Sequence, residues 1–179
     1  MYKDLLKQAR TLTLIDTRGK PKQANLRRAV SAAYYALFHL LVGEVCRGVI
    51  GTQYPGRGYR HSIARAFAHS TMKDACISFA GGQLPKSVVG PLPKSIAAHY
   101  LIVKPIQTIA ATFVDVQEKR HLADYDLSKQ FKRSEVLALI EQTTAQIAEF
   151  STLTASHDRQ FFLVCLLLGK NFATADLMP

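Results

Sequence analysis

The chain is poor in the residues that build disulfide frameworks and metal centres. Its 179 residues include only three cysteines, and Cys46, Cys76 and Cys165 are widely spaced. An odd number of scattered cysteines is typical of reduced thiols in a cytosolic protein rather than of a disulfide scaffold or a zinc site. The sequence also contains no HxxxH, CxxC or GxxxxGK[ST] motif. We therefore expect no metal site, and no bound nucleotide of the P-loop kind.

Long apolar runs and strand patterns are missing as well. The longest apolar run, residues 161–168, is too short to cross a bilayer and predicts a buried helix instead. The first residues lead into a mixed polar and apolar segment rather than an apolar secretion signal. No alternation of polar and apolar residues lasts long enough to build a sheet. These absences predict an all-α, cytoplasmic protein that does not enter a membrane.

Positive charge is abundant. The formal net charge is +10, and 48% of the residues are hydrophobic. The chain is long enough for one domain with a sizeable core. The basic excess lies in the first two-thirds of the chain, whereas residues 105–179 have a slight acidic balance. A basic surface favours phosphate-rich partners, because binding them releases counterions.

The helix signals predict an up-and-down bundle of about five helices. Their expected bounds, in chain order, are 4–14, 23–46, 62–79, 105–125 and a fifth helix that begins at the capping residue Ser134. The intervening segments are expected to be a basic turn at 16–21, a glycine-rich loop at 48–58 and a proline-containing loop at 83–104. We expect residues 1–155 to form this helical bundle. Residues 156–179 are expected to be a C-terminal helical extension packed on the same domain.

The predicted second helix has two different faces. One is an apolar stripe made of Leu26, Val30, Ala33, Leu37 and Leu40. The other carries mixed chemistry and consists of Arg27, Ser31, Tyr34 and Phe38. Two interpretations of this mixed face are open. It lines a groove or a dimer contact, or its tyrosine is an ordinary core aromatic with the hydroxyl at the rim.

The predicted fourth helix places an arginine where a buried side chain is expected. Its apolar stripe consists of Ile106, Ile109, Phe113 and Val116, and the next positions along it are Arg120 and Asp124. A charge in such a stripe must be paired or line a cleft, because burying an isolated ion is costly. The alternative interpretation is purely structural: Arg120 lies at a helix end, reaches water and pairs with Asp124. His121 and Tyr125 crowd the same turn and favour a functional site.

Three blocks of the sequence resemble one family. Residues 24–39, ANLRRAVSAAYYALFH, resemble the second helix of HEPN domains (higher eukaryotes and prokaryotes nucleotide-binding). Arg60-His61-Ser62, with Phe67 after it, resembles the start of the family's third helix. Residues 120–125, RHLADY, resemble its late arginine motif. The resemblance covers roughly residues 20 to 150. It implies an all-α fold of the kind found in prokaryotic toxin–antitoxin modules, antiviral systems and RNA-processing proteins.

The resemblance implies RNA or nucleotide binding without a cofactor. Active HEPN domains are metal-independent ribonucleases whose motif is an Arg, then a polar residue, then a His several positions after the Arg. The His deprotonates a 2′-OH, and the Arg stabilises the phosphate. Two motifs meet across a homodimer. Catalytic roles would then fall to Arg120, His121, Asp124 and Tyr125. The nucleic-acid contacts would come from Arg27, Arg28, Ser31, Tyr34, Arg60 and His61.

This sequence departs from the motif at its histidine. Tyr125, Asp126 and Leu127 occupy the positions where the His is expected, and a phenol is a poor base at neutral pH. Asp124 or His121 are the candidates to replace it. Two functions therefore stay open. One is an endoribonuclease toxin paired with a nucleotidyltransferase antitoxin, and the other is a non-catalytic HEPN module for dimerisation and partner binding. His61 also has a plainer interpretation, as a helix-start residue with a structural hydrogen bond.

Overall fold

The computed structural model describes residues 1–16, 19–51, 56–90, 92–95, 100–153 and 156–169. Within these ranges every regular element is a helix, and no strand occurs, so the all-α prediction is confirmed. Eight helices are described: α1 (Tyr2–Leu14), α2 (Gln23–Ile50), α3 (Gly56–Arg65), α4 (His69–Ala80), α5 (Lys86–Val89), α6 (Lys104–Tyr125), α7 (Arg133–Thr152) and α8 (His157–Leu168). The prediction of about five helices was therefore too low.

One extra helix arises because the predicted third helix is broken. The sequence predicted a continuous helix over 62–79, but α3 ends at Arg65 and α4 begins at His69. Ala68 precedes α4 with φ −105° and ψ 132°, an extended conformation that interrupts the helical hydrogen bonds. Alanine and phenylalanine are compatible with a helix at this point, so nothing in the local pattern marked the break. The predicted end of this segment is correct, since α4 stops at Gly81-Gly82 and Gly82 has φ +72°.

The end of α2 also differs from the prediction. The helix continues to Ile50, beyond the expected end at Cys46, and it includes Gly48. Gly51 provides the stop, because its backbone N–H donates to the carbonyl of Arg47 at 2.8 Å and its φ is +78°. This conformation suits glycine at the residue after a helix. Of the two glycines near this end, Gly48 is tolerated inside the helix and Gly51 is the residue that leaves it.

The start of α3 is a further difference, because this helix begins at Gly56, inside the predicted glycine-rich loop, rather than at Ser62. The other boundaries agree closely with the sequence. Helix α6 begins at Lys104 and places Pro105 in its first turn, where a missing N–H costs nothing. Helix α7 begins one residue before the predicted cap, Ser134. Ser156 caps α8, since its hydroxyl oxygen accepts a hydrogen bond from the Arg159 N–H at 3.1 Å. The apolar run at residues 161–168 lies within this helix.

The chain divides into two compact units. The first unit contains residues 1–40 and 112–151, and therefore α1, the N-terminal part of α2, the C-terminal part of α6 and nearly all of α7. The second contains residues 41–111 and 152–179, with α3, α4, α5 and α8. In the second unit, the rings of Phe79 on α4 and Phe162 on α8 pack edge to face with their centroids 4.9 Å apart.

The predicted core is confirmed. Every member has no exposed surface: Leu26, Val30, Ala33, Leu37, Ile109, Phe113 and Val116. Two residues of the mixed face of α2 are also buried within the chain. Tyr34 has no exposed surface and Phe38 only 9%. The rings of Tyr34 and Phe38 therefore belong to the chain's own core.

Part of α2 is apolar enough to raise the question of a membrane. Residues Gln23–Gly48 have the length and composition of a membrane-spanning helix, with a mean hydropathy of 1.4. However, 72% of the apolar window is buried inside the protein. A helix that is apolar on most sides is also the normal core helix of a globular fold. Its composition is therefore weak evidence for a membrane span.

Some sequence predictions fall outside the described residues. They concern Arg18 in the basic turn, residues 52–55 of the glycine-rich loop and residues 170–179 of the C-terminal extension.

Candidate functional site

Arg120 lies in the penultimate turn of α6, one turn after the last member of the buried stripe. Its Nε is 2.5 Å from Oδ2 of Asp124, one turn further on, which gives an i,i+4 ion pair. The Nε–H does not point along this line, and it makes no well-aligned hydrogen bond within the described part of the chain. The two side chains are 21% and 30% exposed. The predicted pair therefore exists, and it lies at the protein surface rather than in the core.

Three tyrosine rings surround the Arg120 guanidinium. Its central carbon lies 5.8, 5.7 and 5.8 Å from the ring centroids of Tyr34, Tyr35 and Tyr125. These distances are within the range of cation–π attraction. Nη2 also donates a long hydrogen bond of 3.4 Å to the hydroxyl of Tyr35. The rings therefore hold the guanidinium in one place at the surface of the first unit.

Asp124 connects this cluster to α2. Its Oδ1 accepts a hydrogen bond of 2.7 Å from the hydroxyl of Ser31, while Oδ2 faces Arg120. Both carboxylate oxygens are therefore engaged within the protein, one by a hydroxyl and the other by a guanidinium. The role that this geometry gives Asp124 is to position Arg120.

The surroundings keep Arg120 charged. Partial burial lowers the pKa of its guanidinium, but the attraction of Asp124 and of the three tyrosines outweighs this effect, and the net pKa is raised. A permanent cation cannot act as a general base. It can bind an anion or stabilise negative charge on a phosphate.

One edge of the guanidinium is available for such a ligand. Nε faces Asp124 and Nη2 faces Tyr35, whereas Nη1 makes no hydrogen bond to any described residue. Tyr125, whose ring contacts the guanidinium, also packs against the exposed ring of His121, with centroids 4.9 Å apart. The arrangement combines a fixed cation, one unused donor edge, an imidazole and an accessible aromatic face, since Tyr125 is 66% exposed.

Arg27 has a different place from the one predicted for it. Its Nη1 donates to the carbonyls of Leu122 at 3.4 Å and Ala123 at 2.8 Å. Its Nη2 donates to the carbonyls of Asp126 at 2.9 Å and Lys129 at 2.6 Å. A cation on the free carbonyls at a helix end is stabilising. Arg27 therefore joins α2 to the end of α6 and to the following loop, on the same turn that carries the Arg120 cluster.

We expect Arg27→Ala to lower the free energy of unfolding by about 2–3 kcal/mol, because several charge-assisted hydrogen bonds are lost and their carbonyls are left at a helix end. Chemical denaturation measures this. Arg28→Ala is the matched control, since the adjacent Arg28 is exposed and bonds to no described residue. Its effect is expected to stay within about 0.5 kcal/mol. Equal losses in both variants would contradict the role assigned to Arg27.

The remaining predicted contacts are divided between the two units. Arg28 is exposed on α2 in the first unit, with the Arg120 cluster. Arg60 and His61 lie on α3 in the second unit. Arg60 donates from Nη1 to the carbonyl of Gly51 at 2.9 Å and so closes the segment after α2, while His61 is exposed. The structure brings together Arg120, His121, Asp124 and Tyr125 with Ser31 and Tyr34.

One member of the site, Tyr35, was missing from the predicted set, and so was Asp126 in the turn that follows α6. Tyr35 contacts Arg120 through both its ring and its hydroxyl. The signal was present, since Tyr35 lies one turn after Ser31 on the same helix, but its facing partner on α6 was unknown. Asp126 forms the turn after α6, because its Oδ1 accepts hydrogen bonds from the Ser128 N–H at 2.9 Å and hydroxyl at 2.6 Å. These bonds lower the pKa of Asp126.

Metal ligands and relatives give no further guide to the site. Among the described residues, no group of three or more His, Cys, Asp or Glu side chains is arranged to hold a metal ion. In comparisons with protein-family models, with curated proteins and with solved structures, nothing matches this chain. The geometry of the cluster and the three sequence blocks are therefore the features of the chain that point to a function.

Proposed function

We propose that this chain is a HEPN-like protein that binds RNA or nucleotide phosphate at Arg120. The observation that supports this proposal most directly is the held guanidinium with its unused Nη1 edge at a partly exposed position. Three rings and a carboxylate fix this cation in advance, so little side-chain entropy is lost when an anion binds. The exposed ring of Tyr125 provides a face on which a base can stack beside the phosphate.

If the protein cleaves RNA, His121 is the side chain we assign as the base. Asp124 is held by Ser31 and Arg120, and Arg120 remains charged. The exposed imidazole of His121, the residue that follows the phosphate-binding arginine, is the remaining side chain of the predicted set with a nitrogen that can accept a proton. Cleavage would then pass the 2′-OH proton to His121 as the 2′-oxygen attacks phosphorus and the 5′-oxygen leaves. The alternative function is a non-catalytic module, supported by the engagement of Asp124 and the absence of the motif histidine.

Incubation of the purified protein with RNA in the presence of EDTA tests these functions. We expect a saturable shift of labelled single-stranded RNA for the wild type and loss of that shift for Arg120→Ala. Fragments that form in EDTA with the wild type and disappear with His121→Ala would support the ribonuclease. Binding without fragments would support the non-catalytic alternative. The absence of any RNA or nucleotide binding would contradict the proposal itself.

RNA binding is expected to weaken as salt rises. The affinity should fall linearly on a log–log plot against salt concentration, with a slope set by the number of phosphates neutralised. Lys20, Lys22 and Arg28 are the basic residues of the first unit that we assign to this contribution, together with Arg18 outside the described ranges. Replacing any one of them with alanine should lower the slope by about 1. Affinity that is unchanged between low and high salt would exclude this electrostatic contribution.

The same proposal includes the cellular context. We propose a cytoplasmic homodimer, with a nucleotidyltransferase antitoxin as the partner if the protein acts as a toxin. Light scattering at micromolar concentration tests the dimer, because a single chain has a mass of 19.8 kDa. A mass of one chain under these conditions would exclude the dimer without affecting the proposed role of Arg120.

A further inference from the structure

The first unit contains a basic cleft that is separate from the Arg120 cluster. It lies between the segment that precedes α2 and the start of α7, and its volume is about 490 Å³. Three of the residues that line it are cations, Lys20, Lys132 and Arg133, and none is a carboxylate. Its volume lies in the range of small-molecule and cofactor sites. It shares no lining residue with the Arg120 cluster.

The cations of this cleft are not neutralised by their neighbours. Lys20 and Lys132 are exposed and make no ion pair or side-chain hydrogen bond with any described residue. Arg133 is held in place, because its Nη2 donates to the backbone carbonyl of Asp16. Its Nε is buried and finds no acceptor within the described ranges. A fixed guanidinium beside two free ammonium groups is a strong attractor for a compact anion.

Two carboxylates that are close to Arg133 by contact or in sequence, Asp16 and Glu135, have partners of their own. Oδ2 of Asp16 accepts hydrogen bonds from the Lys22 N–H at 2.9 Å and from Nδ2 of Asn25 at 3.0 Å. Glu135, in the first turn of α7, lies 3.6 Å from Nζ of Lys129. Asp16 reduces the positive potential near Arg133, but it leaves the two lysines unpaired. The cleft therefore keeps a net positive charge.

The other walls indicate what kind of anion fits. Pro21 and Leu137 provide partly exposed apolar surface. Gln23 is not available to recognise a ligand, because its amide exchanges two hydrogen bonds of 2.9 Å with the backbone of Phe131. The Phe131 ring is only 3% exposed. An apolar wall beside three cations suits a phosphate attached to a flat organic group, and few donors remain to discriminate one base from another.

We propose that this cleft is a second phosphate site, which binds the phosphate of a nucleotide through Lys20, Lys132 and Arg133 and contacts its base with Pro21 and Leu137. The phosphate belongs either to a free nucleotide or to an RNA chain. This site does not depend on the proposed role of Arg120, because Arg120 is not among the residues that line it. Lys20, which we also assign to salt-dependent RNA binding, is the one residue common to both proposals.

Calorimetric titration of the full chain with adenosine 5′-monophosphate tests the site. We expect saturable, salt-sensitive binding that is about tenfold weaker or more in Lys20→Ala/Lys132→Ala, because two charge-assisted contacts are lost. The double variant Lys3→Ala/Lys7→Ala is the matched control; it removes the same charge from exposed positions on α1 and should bind within about twofold of the wild type. Uridine 5′-monophosphate should bind similarly, and adenosine weakly or not at all.

Further titrations distinguish a free nucleotide from RNA as the ligand of this cleft, and they distinguish this site from the proposed site at Arg120. An RNA oligonucleotide without a terminal phosphate that competes with the mononucleotide would assign the site to RNA; failure to compete would assign it to free nucleotides. The Arg120→Ala variant should still bind the mononucleotide at this cleft, and any binding lost in that variant should be confined to the Arg120 site. No saturable binding by the wild type, or equal losses in both double variants, would overturn the second site. Thermal melts confirm that each variant is folded.

Discussion

Arg120→Ala is expected to weaken RNA or nucleotide binding at its site by about 10- to 100-fold, the range for loss of one charge-assisted hydrogen-bonded contact. The same change is expected to lower the free energy of unfolding by only about 1 kcal/mol, or the Tm by about 2–4 °C for a chain of this size. Fluorescence anisotropy with labelled RNA and a thermal melt measure the two quantities. The combination of a large functional loss and a small stability loss is what distinguishes a binding residue from a structural clamp.

The small stability effect follows from the surroundings of Asp124. Removal of Arg120 leaves Asp124 with its hydrogen bond from Ser31 and with 30% of its side chain exposed to solvent. A carboxylate in that position is not stranded in the core. The larger penalty of about 3–5 kcal/mol belongs to fully buried pairs that lose one partner. A fall of that size would identify Arg120 as a structural clamp.

Lys119→Ala is the matched control for this experiment. Lys119 precedes Arg120 on α6, carries the same charge and pairs with Asp115, whose two carboxylate oxygens lie 2.7 Å from Nζ. Its loss removes one surface charge without affecting the tyrosine rings. We expect binding within about threefold of the wild type, since an exposed charge contributes mainly to screened, long-range attraction. A Lys119→Ala defect equal to that of Arg120→Ala would reduce the role of Arg120 to net charge alone.

Phe113→Ala is expected to lower the free energy of unfolding by about 3–5 kcal/mol, the range for truncating a buried phenylalanine. Phe113 has no exposed surface, and its ring lies 5.7 Å from that of Tyr34, which also contacts Arg120. The cavity left by the substitution therefore lies against a ring of the candidate site. Chemical denaturation gives the stability change, and we expect RNA affinity to fall as well because Tyr34 loses its support.

Two further variants check this interpretation. Phe113→Leu retains much of the apolar volume and should cost less than Phe113→Ala. Ile77→Ala removes an apolar side chain that is 51% exposed on α4, so its effect should be within about 0.5 kcal/mol. A Phe113→Ala protein as stable as the Ile77→Ala protein would show that the α6 stripe does not form the core.

The local pattern predicted most of the helices, and its errors have identifiable causes. Periodicity located α6 to within one residue and identified its buried stripe, because a long amphipathic segment specifies both the helix and its inward face. The sequence pattern did not predict the break between α3 and α4, because Ala66, Phe67 and Ala68 are not residues that favour turns. Gly48 was taken as the end of α2, but a glycine inside a long helix costs only about 1 kcal/mol, and Gly51 is the residue that leaves the helix.

For the candidate site, too, the sequence predicted the contacts within one helix but not the contacts between helices. The sequence by itself determined that Arg120 and Asp124 share a helix face and that Arg120 follows a core stripe, because both facts depend only on the helical repeat. Only the tertiary structure decided that Ser31, Tyr34 and Tyr35 surround them and that Arg27 joins α2 to the end of α6. Those contacts join residues more than eighty positions apart, and the rotation of α2 against α6 that creates them is set by side-chain packing, which no local pattern encodes.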